Sequence, residues 1–100
     1  MVYRGNGTWE VPSGTWHINQ PWVINGNLVI KPGTNLIFNS NSYLIVKGQL
    51  LARGLPESRI TLSSEIDSWM GLYVLQSENI SILEEVSINN TSSLKHGLLD

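Results

Sequence analysis

Short apolar runs separated by polar corners repeat along the whole chain. They read Thr15-Trp16-His17-Ile18, Trp22-Val23-Ile24, Leu28-Val29-Ile30, Leu36-Ile37-Phe38, Leu44-Ile45-Val46 and Leu50-Leu51-Ala52. After these come Ile60-Thr61-Leu62, Leu72-Tyr73-Val74-Leu75 and Val86-Ser87-Ile88. Runs this short, bounded by Asn, Ser, Gly and Pro, are strand signals. The first six lie only a few residues apart, which suits corners better than the turns of long hairpins. Asn25-Gly26 by itself reads as a hairpin turn, but an internal repeat argues against that.

The segment Trp22-Val23-Ile24-Asn25-Gly26-Asn27-Leu28-Val29-Ile30 matches Leu44-Ile45-Val46-Lys47-Gly48-Gln49-Leu50-Leu51-Ala52. Gly falls on Gly, amide on amide and Leu on Leu. A second match aligns Val11-Pro12-Ser13-Gly14-Thr15 with Ile30-Lys31-Pro32-Gly33-Thr34. Two different corners thus recur at a spacing near 20 residues, with about three strands per period. The physical solution is a coil in which each strand lies on its counterpart one turn later and pairs with it in parallel. Leu28 is then expected over Leu50, and Gly26 over Gly48. One coil cannot bury its inner face alone, but stacked neighbours can. Asn27 aligns with Gln49 and Asn25 with Lys47, so corner amides are expected to bond the backbone of the next coil.

Composition strengthens this reading. Ala occurs once, while Ile, Val and Thr total 22, a balance that favours pleated strands over helices. Ten Asn and twelve Ser supply the corners. The fold class predicted is all-β. One hundred residues allow one domain at most. Charged residues are 14% and the net charge is −2, with Lys and Arg scattered singly, so no nucleic-acid footprint is present. No apolar stretch is long enough for a membrane span, and membrane insertion is not expected. Without cysteine there is no disulfide framework and no thiolate metal site.

The stretch from Gly26-Asn27-Leu28-Val29-Ile30-Lys31-Pro32-Gly33-Thr34-Asn35-Leu36 through Tyr43-Leu44-Ile45-Val46-Lys47-Gly48-Gln49-Leu50-Leu51-Ala52 resembles the right-handed parallel β-helix proteins, of pectate-lyase-like architecture. Arg59-Ile60-Thr61-Leu62 followed by Trp69-Met70-Gly71-Leu72-Tyr73-Val74 continues the likeness. Leu62 and Leu72 depart from the commoner Phe and Ile, but both stay apolar. More loosely, the chain resembles β-helix segments of large bacterial surface or spore-associated proteins, some joined to a kinase domain; no kinase motif stands here. The resemblance implies a short right-handed parallel β-helix, a single-stranded solenoid of about three to four coils. It covers about residues 9–90 and is specific for architecture, because such solenoids include enzymes, adhesins and plain stalks.

The expected organisation is an N-terminal cap or extension over 1–10 and β-helix coils over 11–90 with an inserted loop at 63–68. Residues 91–100 are expected as a C-terminal edge or continuation. Successive coils would occupy 11–30, 31–52 and a longer stretch to about 75, with a partial fourth over 80–88. Both ends of such a stack present open strand edges, so the chain is expected to be a segment of a longer solenoid or to meet other copies through those edges.

Candidate chemistry is sparse. Trp16, Trp22, Tyr43, Trp69 and Tyr73 suit an aromatic platform for sugar rings, and the competing reading places the tryptophans in the core or at the end of the stack. Glu65 and Asp67 stand two apart in the inserted loop. Paired carboxylates can hold Ca²⁺ or share acid–base work on a polysaccharide, but without Arg, Lys or a calcium-loop spacing nearby, solvated carboxylates are the simpler account. Glu84 and Glu85 read as a charged solvent face. His17 alternates against Trp16 and Ile18 and is expected to face solvent. No metal spacing and no nucleophile motif appear, and no cofactor is expected. The function expected is a non-catalytic structural or interaction module within a secreted or cell-surface protein, with neighbouring coils or other copies as partners. Carbohydrate binding or processing through the aromatics and the Glu65 and Asp67 loop is the alternative.

Overall fold

The computed structural model describes residues 2–65, 68–75 and 81–89. Twelve strands and no helix occur among them. In chain order they are β1 (Val2–Gly5), β2 (Thr8–Val11), β3 (Gly14–Ile18), β4 (Trp22–Ile24), β5 (Asn27–Ile30) and β6 (Thr34–Phe38). The remainder are β7 (Leu44–Val46), β8 (Leu50–Arg53), β9 (Ile60–Ser64), β10 (Leu72–Val74), β11 (Ile82–Glu84) and β12 (Val86–Ile88). They form a β-solenoid of about three turns with three parallel sheets. Sheet A runs β1-β2-β5-β8-β11, sheet B runs β3-β6-β9-β12 and sheet C runs β4-β7-β10. Every contact between turns is parallel; only β1 is antiparallel, lying on β2 with Val2 opposite Glu10.

The 22-residue repeat is the observed register. Trp22, Val23 and Ile24 lie on Leu44, Ile45 and Val46, and Leu28, Val29 and Ile30 lie on Leu50, Leu51 and Ala52. Asn25-Gly26 therefore turns a corner between sheets C and A rather than closing a hairpin. The second match holds at Val11 over Ile30 but slips by one beyond it, where Gly14 lies on Thr34 and Thr15 on Asn35. The cause is the corner itself. Lys31-Pro32-Gly33 replaces Pro12-Ser13, and the fully buried Thr34 turns back to donate its hydroxyl to Lys31 O at 2.7 Å.

Alternation along each strand sends one side chain in and the next out. The inward set forms columns, with Leu28 on Leu50 in sheet A, Leu36 on Leu62 in sheet B and Leu44 on Leu72 in sheet C. All six are essentially inaccessible to water. Burying a leucine is worth about 1.5–3 kcal/mol, so these columns are the main favourable term. At the foot of each column, in the first turn, stands a tryptophan: Trp9 on Leu28, Trp16 on Leu36 and Trp22 on Leu44.

Polar corners close on themselves. Asn27 Oδ1 accepts from Gln49 N–H at 2.9 Å, the amide-to-next-turn bond the sequence predicts. Asn39 donates its Nδ2 to Asn19 O at 2.9 Å, and its Oδ1 accepts from the buried Ser42 hydroxyl at 2.6 Å. Between sheets C and A, Gly26 and Gly48 stack so closely that side chains are excluded. A Cβ on Gly48 would lie 2.5 Å from Gly26 O, and one on Gly26 would collide with Gly7 O. Ser63 and Ser64, expected in the inserted loop, extend β9 opposite Ile37 and Phe38, because the edge of β6 offers backbone partners there. A second excursion, residues 54–59, leaves sheet A and is pinned by paired bonds between Leu55 and Ser58.

Two outcomes follow. Gly48→Ala forces backbone apart at a central corner and should lower stability by about 1–3 kcal/mol, as overpacking does, whereas Gly7→Ala meets nothing within 4 Å and is limited to the strain of its positive φ. Leu28→Ala should cost about 2–5 kcal/mol by cavity formation, while Val29→Ala, on the outer face of the same strand, should cost well under half of that. Urea unfolding followed by tryptophan emission measures both.

Candidate functional site

The outer faces of the three sheets differ in chemistry. On sheet B the outward column Thr15, Asn35 and Thr61 is polar, and the column beside it runs His17, Ile37 and Ser63. On sheet A the outward column is Glu10, Val29, Leu51 and Ile82, and Lys31, Pro32, Arg53 and Leu55 wall a shallow groove beside it. On sheet C each three-residue strand has one outward position. The register makes these Val23, Ile45 and Tyr73. Tyr43, Met70 and Leu75 flank them, and with Ile45 and Tyr73 they surround a shallow apolar depression.

The five aromatic candidates fall in three separate places. Tyr43 and Tyr73 share the sheet C strip, where the Tyr73 hydroxyl donates to Met70 O at 2.7 Å. Trp16 and Trp22 point inward from β3 and β4 in the first turn. Trp22 packs on the core, and Trp16 remains 36% exposed with its Nε1 donating to Pro12 O. Trp69 is fully buried, stacked on Phe38 with ring centroids 4.2 Å apart, and its Nε1 donates to Asn89 O at 2.7 Å. With both faces enclosed it presents no surface to a sugar. It sits between Phe38, the last residue of β6, and the backbone that follows β12.

Glu65 is exposed immediately after β9, its N–H donating to Phe38 O. Asp67 lies outside the described residues, so the carboxylate pair is represented by Glu65 alone. Glu84 and Glu85 are more than a solvated face. Glu84 lies 3.7 Å from Arg53, and Glu85 pairs with Arg59, which also donates to Ser87 Oγ. These exposed pairs tie the third turn to the fourth and are each worth at most about 1 kcal/mol. His17 is exposed on the outer face of β3. Among the described residues, no three of His, Cys, Asp and Glu converge as a metal site would require.

Sequence reasoning passed over Ile45, Met70 and Leu75 in the strip. Ile45 was available from alternation, since it sits between two inward residues, and Val23 follows from the 22-residue register. Tyr73, Met70 and Leu75 join them only after the longer third turn, whose excess length hides the alignment.

The first-turn end of the solenoid is a second candidate surface. Among the described residues β3 and β4 are the terminal strands of sheets B and C there, whereas β2 is covered by β1. Tyr3 of β1 lies against Trp9, with ring centroids 4.6 Å apart. Comparison with protein-family models, characterised proteins and solved structures finds no match for this chain.

Proposed function

We propose that this chain is a non-catalytic structural and interaction module, a β-solenoid segment of a larger secreted or surface protein. Its texture is that of the right-handed, pectate-lyase-like solenoids found in bacterial surface and spore-associated proteins. The observation that carries this reading is the combination of continuous leucine columns with strand edges that have no neighbouring strand among the described residues. A scaffold of this kind holds its faces at fixed spacing because adjacent turns are locked by backbone bonds on three sides. Its faces differ in chemistry from sheet to sheet, with the apolar strip Val23, Ile45 and Tyr73 confined to sheet C, which suits recognition of an extended partner by one face.

The alternative, carbohydrate recognition, is favoured by one observation, the placement of Tyr43 and Tyr73 around the same depression. Tyrosine rings accept the apolar face of a pyranose. The rest of the lining is Ile45, Met70 and Leu75, which supplies little hydrogen bonding for sugar hydroxyls, and this weighs toward an apolar protein contact.

Titration of the chain with a broad panel of soluble polysaccharides, followed by tyrosine and tryptophan emission and by an assay for new sugar ends, separates the two. The module reading expects neither saturable emission change nor cleavage. Saturable binding that weakens by about tenfold or more, roughly 1.4 kcal/mol, in both Tyr43→Ala and Tyr73→Ala would establish the carbohydrate reading in its place.

A further inference from the structure

Two of the ten asparagines precede glycine, in Asn6-Gly7 and Asn25-Gly26. The fold stacks these pairs. Thr8 lies on Asn27, so one step back Gly7 lies beside Gly26 and Asn6 beside Asn25. Ile24 lies on Val46, so one step on Asn25 stands beside Lys47. Asn6, Asn25 and Lys47 form an exposed column at the corner between sheets C and A. Behind it Gly7, Gly26 and Gly48 pack so closely that neither Gly26 nor Gly48 has room for a Cβ.

The two pairs differ in what holds them. Gly7 N–H donates to the Tyr3 hydroxyl at 3.1 Å. Among the described residues nothing accepts from Gly26 N–H, and nothing bonds the side-chain amide of Asn25. The groups around them are engaged: Ile24 O accepts from Lys47 N–H at 2.9 Å, and Asn27 N–H donates to Gly7 O at 2.8 Å. Asn27 and Asn39 have bonded side chains and precede Leu28 and Ser40, whose side chains crowd the following nitrogen. Among the described asparagines, only Asn25 combines an exposed unbonded side chain, a following glycine and a following N–H without an acceptor.

We propose that Asn25 is a site of spontaneous covalent modification, which closes a succinimide on Gly26 and opens it to aspartate and isoaspartate. Gly26 N gives up its proton and attacks Asn25 Cγ. The N–Cγ bond forms, the Cγ–Nδ2 bond breaks, and the side-chain nitrogen leaves as ammonia with that proton. Water then opens the ring. Addition at Cγ restores the main chain with an aspartate side chain. Addition at the backbone carbonyl carbon routes the main chain through Cβ and Cγ as isoaspartate. A free N–H favours the first step, because a proton held by an acceptor must first be released from it. Both products set a carboxylate on the column next to Lys47, which has no ion pair among the described residues. They act on the corner in opposite senses. Aspartate adds an ion pair between the first and second turns. Isoaspartate adds a methylene to the main chain where Gly26 already crowds Gly7 O, and so loosens the register at this corner.

Incubation of the full chain in warm, mildly alkaline buffer, with peptide mapping by mass spectrometry at intervals, tests it. Electron-transfer fragmentation separates aspartate from isoaspartate. Asn25 should convert about two- to tenfold faster than Asn6, the weight of the one hydrogen bond that Gly7 N–H holds and Gly26 N–H lacks. Tyr3→Phe removes that bond and keeps a ring against Trp9. It should bring Asn6 up toward the rate of Asn25 and leave Asn25 unchanged. In urea the two sites should convert alike. The isoaspartyl form, isolated by ion exchange, should unfold at lower urea than the unmodified chain. Asn25→Asp should unfold at the same urea or higher, and Lys47→Gln should remove any gain. Asn6 converting as fast as Asn25 in the folded wild type overturns the proposal. So does an Asn25 that converts in urea and stays intact in the folded chain. An unchanged Asn6 rate in Tyr3→Phe overturns the hydrogen bond as the cause, and an isoaspartyl form as stable as the wild type overturns the effect on the register.

Discussion

Every turn of this molecule depends on the turn beside it. A single coil of about 20 residues has no interior; its inward leucines are buried only when another coil is laid on top in register. The backbone bonds between turns and the burial of the columns are therefore one interaction seen from two sides. A slip of one residue in a parallel strand would turn every inward side chain outward. The leucine columns and the close-packed glycines at the corner between sheets C and A oppose such a slip independently. The amide of Asn27, which bonds the backbone of the next turn, is a third restraint at that corner.

The ends of the stack follow from the same dependence. The interior must stop somewhere, and in the first turn it stops at Trp9, Trp16 and Trp22, one on each sheet and each at the foot of a leucine column. A large ring at the last layer spreads over the leucine beneath it and shields more apolar surface than another leucine would. What the rings cannot do is satisfy the open backbone edge. β1 does so for one sheet of the three; among the described residues no strand lies beyond β3 or β4 on the other two.

The architecture was largely legible in the sequence because its signal is a repetition. Leu28 and Leu50, or Gly26 and Gly48, can be matched by eye, and the physics of stacking turns that match into a fold. The corner after Val11 shows where matching ends. The alignment of Gly14 with Gly33 looked as good as the alignment of Val11 with Ile30, yet the first is displaced by one residue because a corner absorbs length without disturbing the strands it joins. Surface chemistry was harder to read. Trp69 and Tyr73 are both aromatics of the third turn. One is sealed against Phe38 and the other is half-buried on the sheet C surface, and nothing in their immediate neighbours distinguishes them. Their difference comes from which of them meets Phe38 of the second turn, which is a tertiary fact. The two tyrosines of the strip stand out in the sequence, but their meeting requires the 28-residue step from Leu44 to Leu72, far from the period that reveals the rest.

The stacked glycines at the corner from sheet C to sheet A have a consequence for how such a chain can change. Where carbonyls crowd a neighbouring backbone with no room for a single methyl group, side chains are excluded, yet the corner still lengthens from two residues after β4 to three after β7 and seven after β10. The corner from sheet A to sheet B also varies: it spans two residues in the first turn, three in the second, six in the third and one in the fourth, with Gly54 packed closely against Glu85 O at its start. Loop closure grows costlier only slowly with length. New sequence can therefore enter beside Leu55 and Ser58 while the adjoining layers keep their alignment, and a foreign epitope grafted there would be carried on a frame that need not adjust to hold it.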